Sequence, residues 1–158
     1  MATLGIRKND QIELLRGVKL FSACSKAELG RIASLTTEHQ ASGGQVLMER
    51  GEPGLQFFVI VKGRATATRN GVQIAELGPG SFFGELALLD GRERTATVVA
   101  KTAMDLLVLS RREFISLNSA APSVANKMLV ELGSRLRLAD DLFDAAPGLD
   151  AKAIPWSV

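Results

Sequence analysis

The chain has 158 residues, with 19 Lys and Arg against 17 Asp and Glu, so its formal net charge is +2. Hydrophobic residues make up 46% of the sequence, which is typical of one globular domain with a proper core. This small charge argues against a nucleic-acid-binding surface, and the single cysteine and single histidine exclude disulfide frameworks and metal sites built from several of either residue.

The N-terminal sequence lacks the apolar segment of a secretion signal. No stretch of the chain approaches the run of about 18 apolar residues that a membrane-spanning helix needs. We therefore expect a cytoplasmic protein without a membrane span, and the single thiol agrees with a reducing compartment.

Residues 9–36 have a helical pattern. A short amphipathic segment, Asp10 to Arg16, comes first. Ser25-Lys-Ala-Glu28 then has the spacing of a capping box, in which the serine hydroxyl and the glutamate carboxylate bond the free amides that begin a helix. The apolar residues after this box predict the buried stripe of a second helix.

Residues 37–110 change to short strands separated by glycine turns. The strongest turn signal is Asn70-Gly71, because a type I′ turn needs positive φ at both central residues. The regular spacing of strands and turns predicts an antiparallel β jelly-roll barrel. With helices before and after the barrel, the predicted fold class is α+β, and we expect a single domain over residues 1–158.

Residues 111–144 are predicted to form two helices that close the barrel. Ser110-Arg-Arg-Glu113 is a second capping box, and Pro122 suits the first turn of the longer helix. Apolar residues recur along that helix at spacings of three and four, at Leu129, Leu132, Leu136, Ala139 and Phe143. This repeat is too short to predict a coiled coil, so two alternatives stay open: a helix packed on its own barrel, or a homodimer through residues 122–144. Residues 145–158 are predicted to be a tail.

One stretch departs from the strand pattern and contains the residues best suited to bind an anion. Between Gly84 and Gly91 the sequence is apolar and rich in helix formers, which favours a single helical turn between two strands. The start of such a turn presents free backbone amides to an anion, and Gly84 lets a ligand approach the backbone. Arg94 can face the same anion from the next strand, while the acid Glu85 suits a sugar hydroxyl. A site for an anion next to a site for a sugar hydroxyl is typical of nucleotide binding.

The segment FFGELALLDGRERTATVVA resembles the phosphate-binding cassette of cyclic-nucleotide-binding domains. These domains occur in cAMP-dependent kinase regulatory subunits, catabolite-activator-type transcription factors and cyclic-nucleotide-gated channels. LLRGVKLFSACSKAELGRIA is similar to the family's N-terminal helices, and QVLMERGEPGLQFFVIVKGRATA to its early strands. The resemblance covers residues 10–140. One departure is Glu93, where the family often has proline, and we expect weaker binding from it.

The resemblance implies a role for each matching residue. Glu85 would accept a hydrogen bond from the ribose 2′-hydroxyl, and Arg94 would pair with the exocyclic oxygens of the cyclic phosphate. Thr95 would place its hydroxyl near the phosphate or the base, and Arg135 would stack on or cap the purine. Backbone groups around the sugar and phosphate would come from three residues of the cassette: Gly84, Leu86 and Ala87.

Alternatives stay open for the charged residues of this site. Instead of binding a ligand, Glu85 and Arg94 could pair with each other across the barrel mouth. Arg135 could simply lie on a solvated helix face. Because the chain has no tyrosine, the base would be capped by Arg135, by an apolar helix residue or by Trp156.

The predicted function is that of a binding module rather than an enzyme. It binds a 3′,5′-cyclic nucleotide, cAMP being favoured over cGMP, and relays binding through movement of the helices over residues 111–144. No cofactor or metal is expected, since a cupin-type metal site commonly needs two or more histidines. DNA binding is not expected, because only about 14 residues follow Asp144. The alternative is a degenerate, ligand-free regulatory or assembly domain of the same fold.

Overall fold

The computed structural model describes residues 8–85 and 91–145. In this part of the chain, three helical segments precede the strands: α1 (Lys8–Arg16), a 3-10 turn (Lys19–Phe21) and α2 (Lys26–Leu35). Two helices follow the strands, α3 (Arg111–Ala120) and α4 (Pro122–Ala145). None of the helices in these two ranges combines the length and the apolarity that crossing a bilayer requires.

Eight strands are described between the two groups of helices. They are β1 (Thr37–Ala41), β2 (Val46–Met48), β3 (Gln56–Lys62), β4 (Ala65–Arg69), β5 (Val72–Leu77), β6 (Phe82–Phe83), β7 (Thr97–Ala100) and β8 (Met104–Ser110). They form two four-stranded antiparallel sheets, with the orders β1-β8-β3-β6 and β2-β7-β4-β5.

The predicted α+β antiparallel jelly roll is confirmed, and its strands do not close into a barrel. The described strands pair within two separate sheets, and both sheets have a very short strand at one edge. Strand β6 has two residues and β2 has three, so neither is long enough to carry a continuous ladder from one sheet to the other. The fold is therefore a double-sheet jelly roll.

Local sequence signals correctly predicted several element boundaries. Ser25 caps α2 and Ser110 caps α3, and in both capping boxes the serine hydroxyl and the glutamate carboxylate make their expected bonds to backbone amides. Asn70 and Gly71 have φ values of 53° and 76°, as a type I′ turn requires, and they join β4 to β5.

Strand alternation divides the core into two clusters. Phe57 contacts Phe82 and Phe114 in the cluster that packs the helices onto the first sheet. Its neighbour Phe58 stacks on Phe83 in the cluster between the two sheets, because successive strand side chains face opposite sides. Both clusters therefore reach β6, the strand that ends at the candidate site.

Helix α4 is packed on the domain through its first two turns, where Val124 and Met128 are buried. Further along, Leu129 and Leu136 of the predicted apolar repeat are 68% and 53% exposed. Leu132 between them is half-buried. The structure does not describe the side chains of Ala139 and Phe143, the other two members of the repeat. At Leu129 and Leu136 the repeat therefore faces away from the chain's own sheets.

Candidate functional site

The candidate site begins where β6 ends. Gly84 has a φ of +87°, a left-handed conformation that glycine adopts without strain, and it turns the chain out of the sheet. A Cβ atom at this position would lie 2.7 Å from Nη1 of Arg94 and 2.9 Å from the carbonyl oxygen of Gln56. Glycine is therefore required both for the backbone turn and for the close approach of Arg94.

Glu85 follows this turn and is completely buried. Its Oε1 atom lies 3.2 Å from Nη1 of Arg135 on α4, whereas Oε2 is buried without a hydrogen-bond partner in the described structure. Burial raises the pKa of Glu85 to about 7, although the positive charges of Arg135 and Arg94 oppose the rise. A buried carboxyl group with one unpartnered oxygen is suited to accept a hydrogen bond from a hydroxyl group.

Glu85 is assigned to a helix, as predicted for the start of the cassette's helical turn. The rest of that predicted turn, including the candidate binding residues Leu86 and Ala87, lies outside the described residues.

The guanidinium of Arg94 is buried against the Gly84 turn. Its Nη1 donates to the carbonyl oxygen of Gly84 at 3.0 Å, and its Nη2 donates to that of Gln56 at 2.7 Å. Burial lowers the pKa of Arg94, and the negative charge of Glu85 opposes this effect. The positive charge is thus held between the end of β6 and the start of β3.

The backbone at Arg94 is held by the turn at residues 51–53. The amide of Arg94 donates to the carbonyl oxygen of Glu52 at 2.8 Å, and its own carbonyl accepts from the amide of Gly51 at 3.0 Å. Next to it, Glu93 forms an isolated antiparallel bridge with Pro53. This bridge and the two hydrogen bonds restrain the backbone on both sides of the peptide that joins Glu93 to Arg94.

Arg135 reaches the site from α4, and its side chain is only 19% exposed. Besides Glu85, it contacts the face of Phe82, with 4.7 Å between its Cζ atom and the ring centroid, and it lies 3.8 Å from Oε1 of Glu131. The structure therefore places Arg135 in the site and not on a solvated face. It also pairs Glu85 with Arg135, whereas the alternative prediction paired Glu85 with Arg94.

Thr95 lies directly after Arg94, and an arginine that the sequence analysis missed contacts its backbone. Nε of Arg69 donates to the carbonyl oxygen of Thr95 at 3.0 Å. Arg69 is buried at the end of β4, on the face that also buries Ala65 and Ala67, and its burial lowers its pKa. The signal that could have revealed it is an arginine at an inward position of an alternating strand.

A cavity of about 190 Å³ lies between α4 and the segment that leads into β6. Arg135 and Phe82 form part of its wall. The other lining residues are Leu20, Pro79, Gly80, Ser81, Lys127 and Glu131. The cavity is smaller than typical ligand sites of about 300–1,000 Å³, so it does not by itself hold a whole nucleotide.

Comparisons with known proteins place this chain in a family. The family model described as "Cyclic nucleotide-binding domain" matches residues 38–120, which include β6, Glu85 and Arg94. A cyclic nucleotide-gated potassium channel of Mesorhizobium japonicum is 39% identical over 124 residues, which cover 76% of this chain and 34% of the channel. The cyclic AMP receptor protein of Thermus thermophilus is 30% identical over 131 residues, which cover 80% of this chain and 61% of the receptor.

A solved structure gives the same result. The crystal structure of the Thermus thermophilus catabolite activator protein matches with a TM-score of 0.74 at 31% identity, covering 80% of this chain and 62% of that one. This chain thus spans about a third of the channel and about three fifths of the receptor. These matches confirm the resemblance of the cassette, and the chain belongs to the cyclic nucleotide-binding domain family.

Proposed function

We propose that this chain is a non-catalytic module that binds a 3′,5′-cyclic nucleotide, with cAMP favoured over cGMP, and relays binding through α4. The observation that carries the proposal is the unpartnered Oε2 atom of the buried Glu85, next to the Gly84 turn and Arg94. The ribose 2′-hydroxyl of a nucleotide is the donor that this oxygen lacks.

The cyclic phosphate would face Arg94. A guanidinium has five N–H groups in a planar fork, which matches the oxygens of a phosphate, and Arg94 is held close to Glu85 by its bonds to the carbonyls of Gly84 and Gln56. A hydroxyl acceptor and an anion partner on either side of one glycine turn fit a ribose phosphate better than a free sugar or an inorganic anion. Thr95, next in sequence, would lie near the phosphate or the base.

The relay follows from the position of Arg135. Because Glu85 is completely buried and Arg135 contacts it, a nucleotide reaches the carboxylate only when α4 and its arginine move. A ligand that binds one position of α4 more tightly than the other shifts the balance between them. The preference for cAMP is supported by the Thermus relative, which is a cyclic AMP receptor protein, while a threonine at position 95 keeps cGMP as the alternative.

The experiment is a thermal-shift titration with cAMP and cGMP, with 5′-AMP as the control that has an open phosphate. Both cyclic nucleotides are expected to raise the melting temperature, cAMP at the lower concentration, and 5′-AMP is expected to leave it unchanged. If neither cyclic nucleotide stabilises the protein, the proposal is wrong.

A ligand-free regulatory domain is the second candidate, and one feature favours it. The chain's own groups already engage the charges of the site: Arg135 pairs with Glu85, and Arg94 bonds two backbone carbonyls. This candidate predicts no thermal shift with any of the three nucleotides.

A homodimer through α4 is also proposed, with the exposed Leu129 and Leu136 as its contact. These residues are two turns apart on one helix face, which is the spacing of a dimer seam. Sedimentation velocity should show that replacing both residues with glutamate gives a monomer. The matched control is the same double change at the exposed Ser134 and Leu138. A wild-type chain that sediments as a monomer at about 100 μM, well above a dissociation constant in the micromolar range, would contradict the proposal.

A further inference from the structure

A cavity of about 220 Å³ lies between α1 and the face of the first sheet that carries the helices. Helix α1 packs mainly on α2 and the 3-10 turn, and this leaves space between it and the strands. Leu14 and Leu15 line the cavity from the helix, and Val61 and Leu107 line it from β3 and β8. None of the residues that line it also lines the cavity beside Arg135, so the two cavities are separate.

Glu38 brings a carboxylate to this cavity. It lies opposite Leu107 in the pairing of β1 with β8, so the two side chains share the face of the sheet under α1. Glu38 is only 5% exposed, and its side chain forms no hydrogen bond or ion pair within the part of the chain that the structure describes. A buried carboxylate is normally hydrogen-bonded, because losing its water without gaining a partner is costly. The cavity is therefore where a donor for Glu38 would lie.

The charges around the cavity favour a cation. Besides Glu38, its walls include Asp105 and Lys62, so two acidic side chains stand against one basic side chain. Lys62 is exposed and Asp105 is half-buried, and they are opposite each other in the pairing of β3 with β8. These two charges therefore lie toward solvent, and Glu38 provides the buried charge that a ligand would meet.

The volume of the cavity limits the ligand to a small molecule. An apolar cavity of about 150 Å³ holds a benzene ring, so about 220 Å³ has room for such a ring with a short polar group attached. We propose that this cavity binds a small primary amine, whose ammonium group pairs with Glu38 and whose apolar body packs between α1 and the strands. The inference goes beyond nucleotide binding and does not depend on it.

The test is a titration of the wild type with benzylamine, without nucleotide, followed by ¹H–¹⁵N NMR spectroscopy. Benzylamine is protonated at neutral pH, benzyl alcohol has the same shape without the charge, and benzoate has the opposite charge. Benzylamine should bind with a dissociation constant of about 1 mM or lower, as its eight or so non-hydrogen atoms allow. Benzyl alcohol should bind about 10-fold more weakly, because a charged donor makes the stronger hydrogen bond to a carboxylate. Benzoate should not bind, because its charge has the same sign as that of Glu38.

Glu38→Gln and Glu49→Gln test the partner of the ammonium group. Both variants lose one negative charge, but Glu49 is exposed and does not line the cavity. In Glu38→Gln the affinity for benzylamine should fall about 10-fold, to that of benzyl alcohol, whereas Glu49→Gln should bind both ligands as the wild type does. If benzylamine binds the two variants equally, Glu38 is not its partner and the inference is overturned.

The wild-type spectra decide the question even if Glu38→Gln fails to fold. The amide signals of Gln11, Thr36 and Leu107 should shift with benzylamine, and those of Gly84 and Arg94 should not. No saturable shift up to about 10 mM benzylamine, shifts confined to other parts of the chain, or equal affinities for benzylamine and benzyl alcohol would each overturn the inference. None of these results affects the proposal of nucleotide binding, which the thermal-shift titration tests separately.

Discussion

Gly84→Ala is expected to weaken both the fold and the site. A φ of +87° costs a residue with a side chain about 1–2 kcal/mol. The new Cβ would also lie 2.9 Å from the carbonyl oxygen of Gln56, which belongs to β3 and cannot move freely, and 2.7 Å from the guanidinium of Arg94. Overpacking of this kind costs about 1–3 kcal/mol. The free energy of unfolding should therefore fall by about 2–5 kcal/mol.

Alanine substitutions at two other glycines serve as controls for the backbone strain and for the crowding. Gly44 has a φ of +88° with no atom within 4 Å of a Cβ, so Gly44→Ala carries the strain without the crowding. Gly30 lies inside α2 with open space around it, and Gly30→Ala should stabilise the helix by up to about 1 kcal/mol. At about 2–4 °C per kcal/mol for a chain of this size, Gly84→Ala should melt about 2–12 °C below Gly44→Ala.

The assay is thermal denaturation followed by circular dichroism, together with a cAMP titration of each variant. Gly84→Ala should bind cAMP at least about 10-fold more weakly than the wild type, because its Cβ displaces Arg94, and Gly44→Ala should bind normally. If Gly84→Ala melts together with Gly44→Ala and keeps the affinity of the wild type, the contact of Arg94 with the Gly84 turn is not the one described.

Three further predictions concern the other residues of the site and a helix cap. Arg94→Ala should weaken cAMP binding by about 2–5 kcal/mol, or about 30- to 4,000-fold, because the phosphate loses its charged partner. Arg112→Ala, which removes an exposed arginine, should leave the affinity unchanged. Equal calorimetric affinities for these two variants would exclude Arg94 as the phosphate partner. Ser110→Ala should lower the free energy of unfolding, measured in urea, by about 1 kcal/mol, because α3 loses its cap. Ser119→Ala, at an exposed position of the same helix, should keep this free energy within about 0.5 kcal/mol of the wild-type value. Burial raises the pKa of Glu85 from its ordinary 4.5 to about 7, so the folded state holds an extra proton between these values and loses stability as the pH rises through them. Glu85→Gln cannot titrate, so its melting temperature relative to the wild type should increase from pH 4.5 to 7 and then level off; a difference independent of pH would contradict the burial of the carboxyl group.

The features that could be predicted from the sequence are those that depend on neighbouring residues. The capping boxes at Ser25 and Ser110 and the turn at Asn70-Gly71 each need only residues within three positions of one another, and all are present. The cassette is similar, because the glycine turn, the acid and the arginine lie within eleven residues, from Gly84 to Arg94.

What could not be predicted depends on packing between distant segments. Glu85 pairs with an arginine 50 positions away because α4 lies across β6, and no local pattern distinguishes that arginine from Arg94. Gln56 accepts the hydrogen bond from Arg94 through its backbone carbonyl. Because every residue has a backbone carbonyl, the residue type at this position gives no signal of the contact. The order of the strands within the two sheets could not be predicted either, because strand alternation is the same in a closed barrel and in a double-sheet jelly roll.

Because α4 is packed on the domain through its first two turns, a small tilt of the helix about that region would move its far end more than it moves Arg135. Among the α4 side chains that the structure describes, Met128 is the last buried one. At about 1.5 Å per residue, Arg135 lies about 10 Å and Ala145 about 25 Å from Met128 along the helix axis. A tilt about Met128 that shifts Arg135 by about 2 Å would move the end of the helix by about 5 Å. A displacement no larger than a change of hydrogen-bond partner at Glu85 would therefore be magnified more than twofold at the far end of α4.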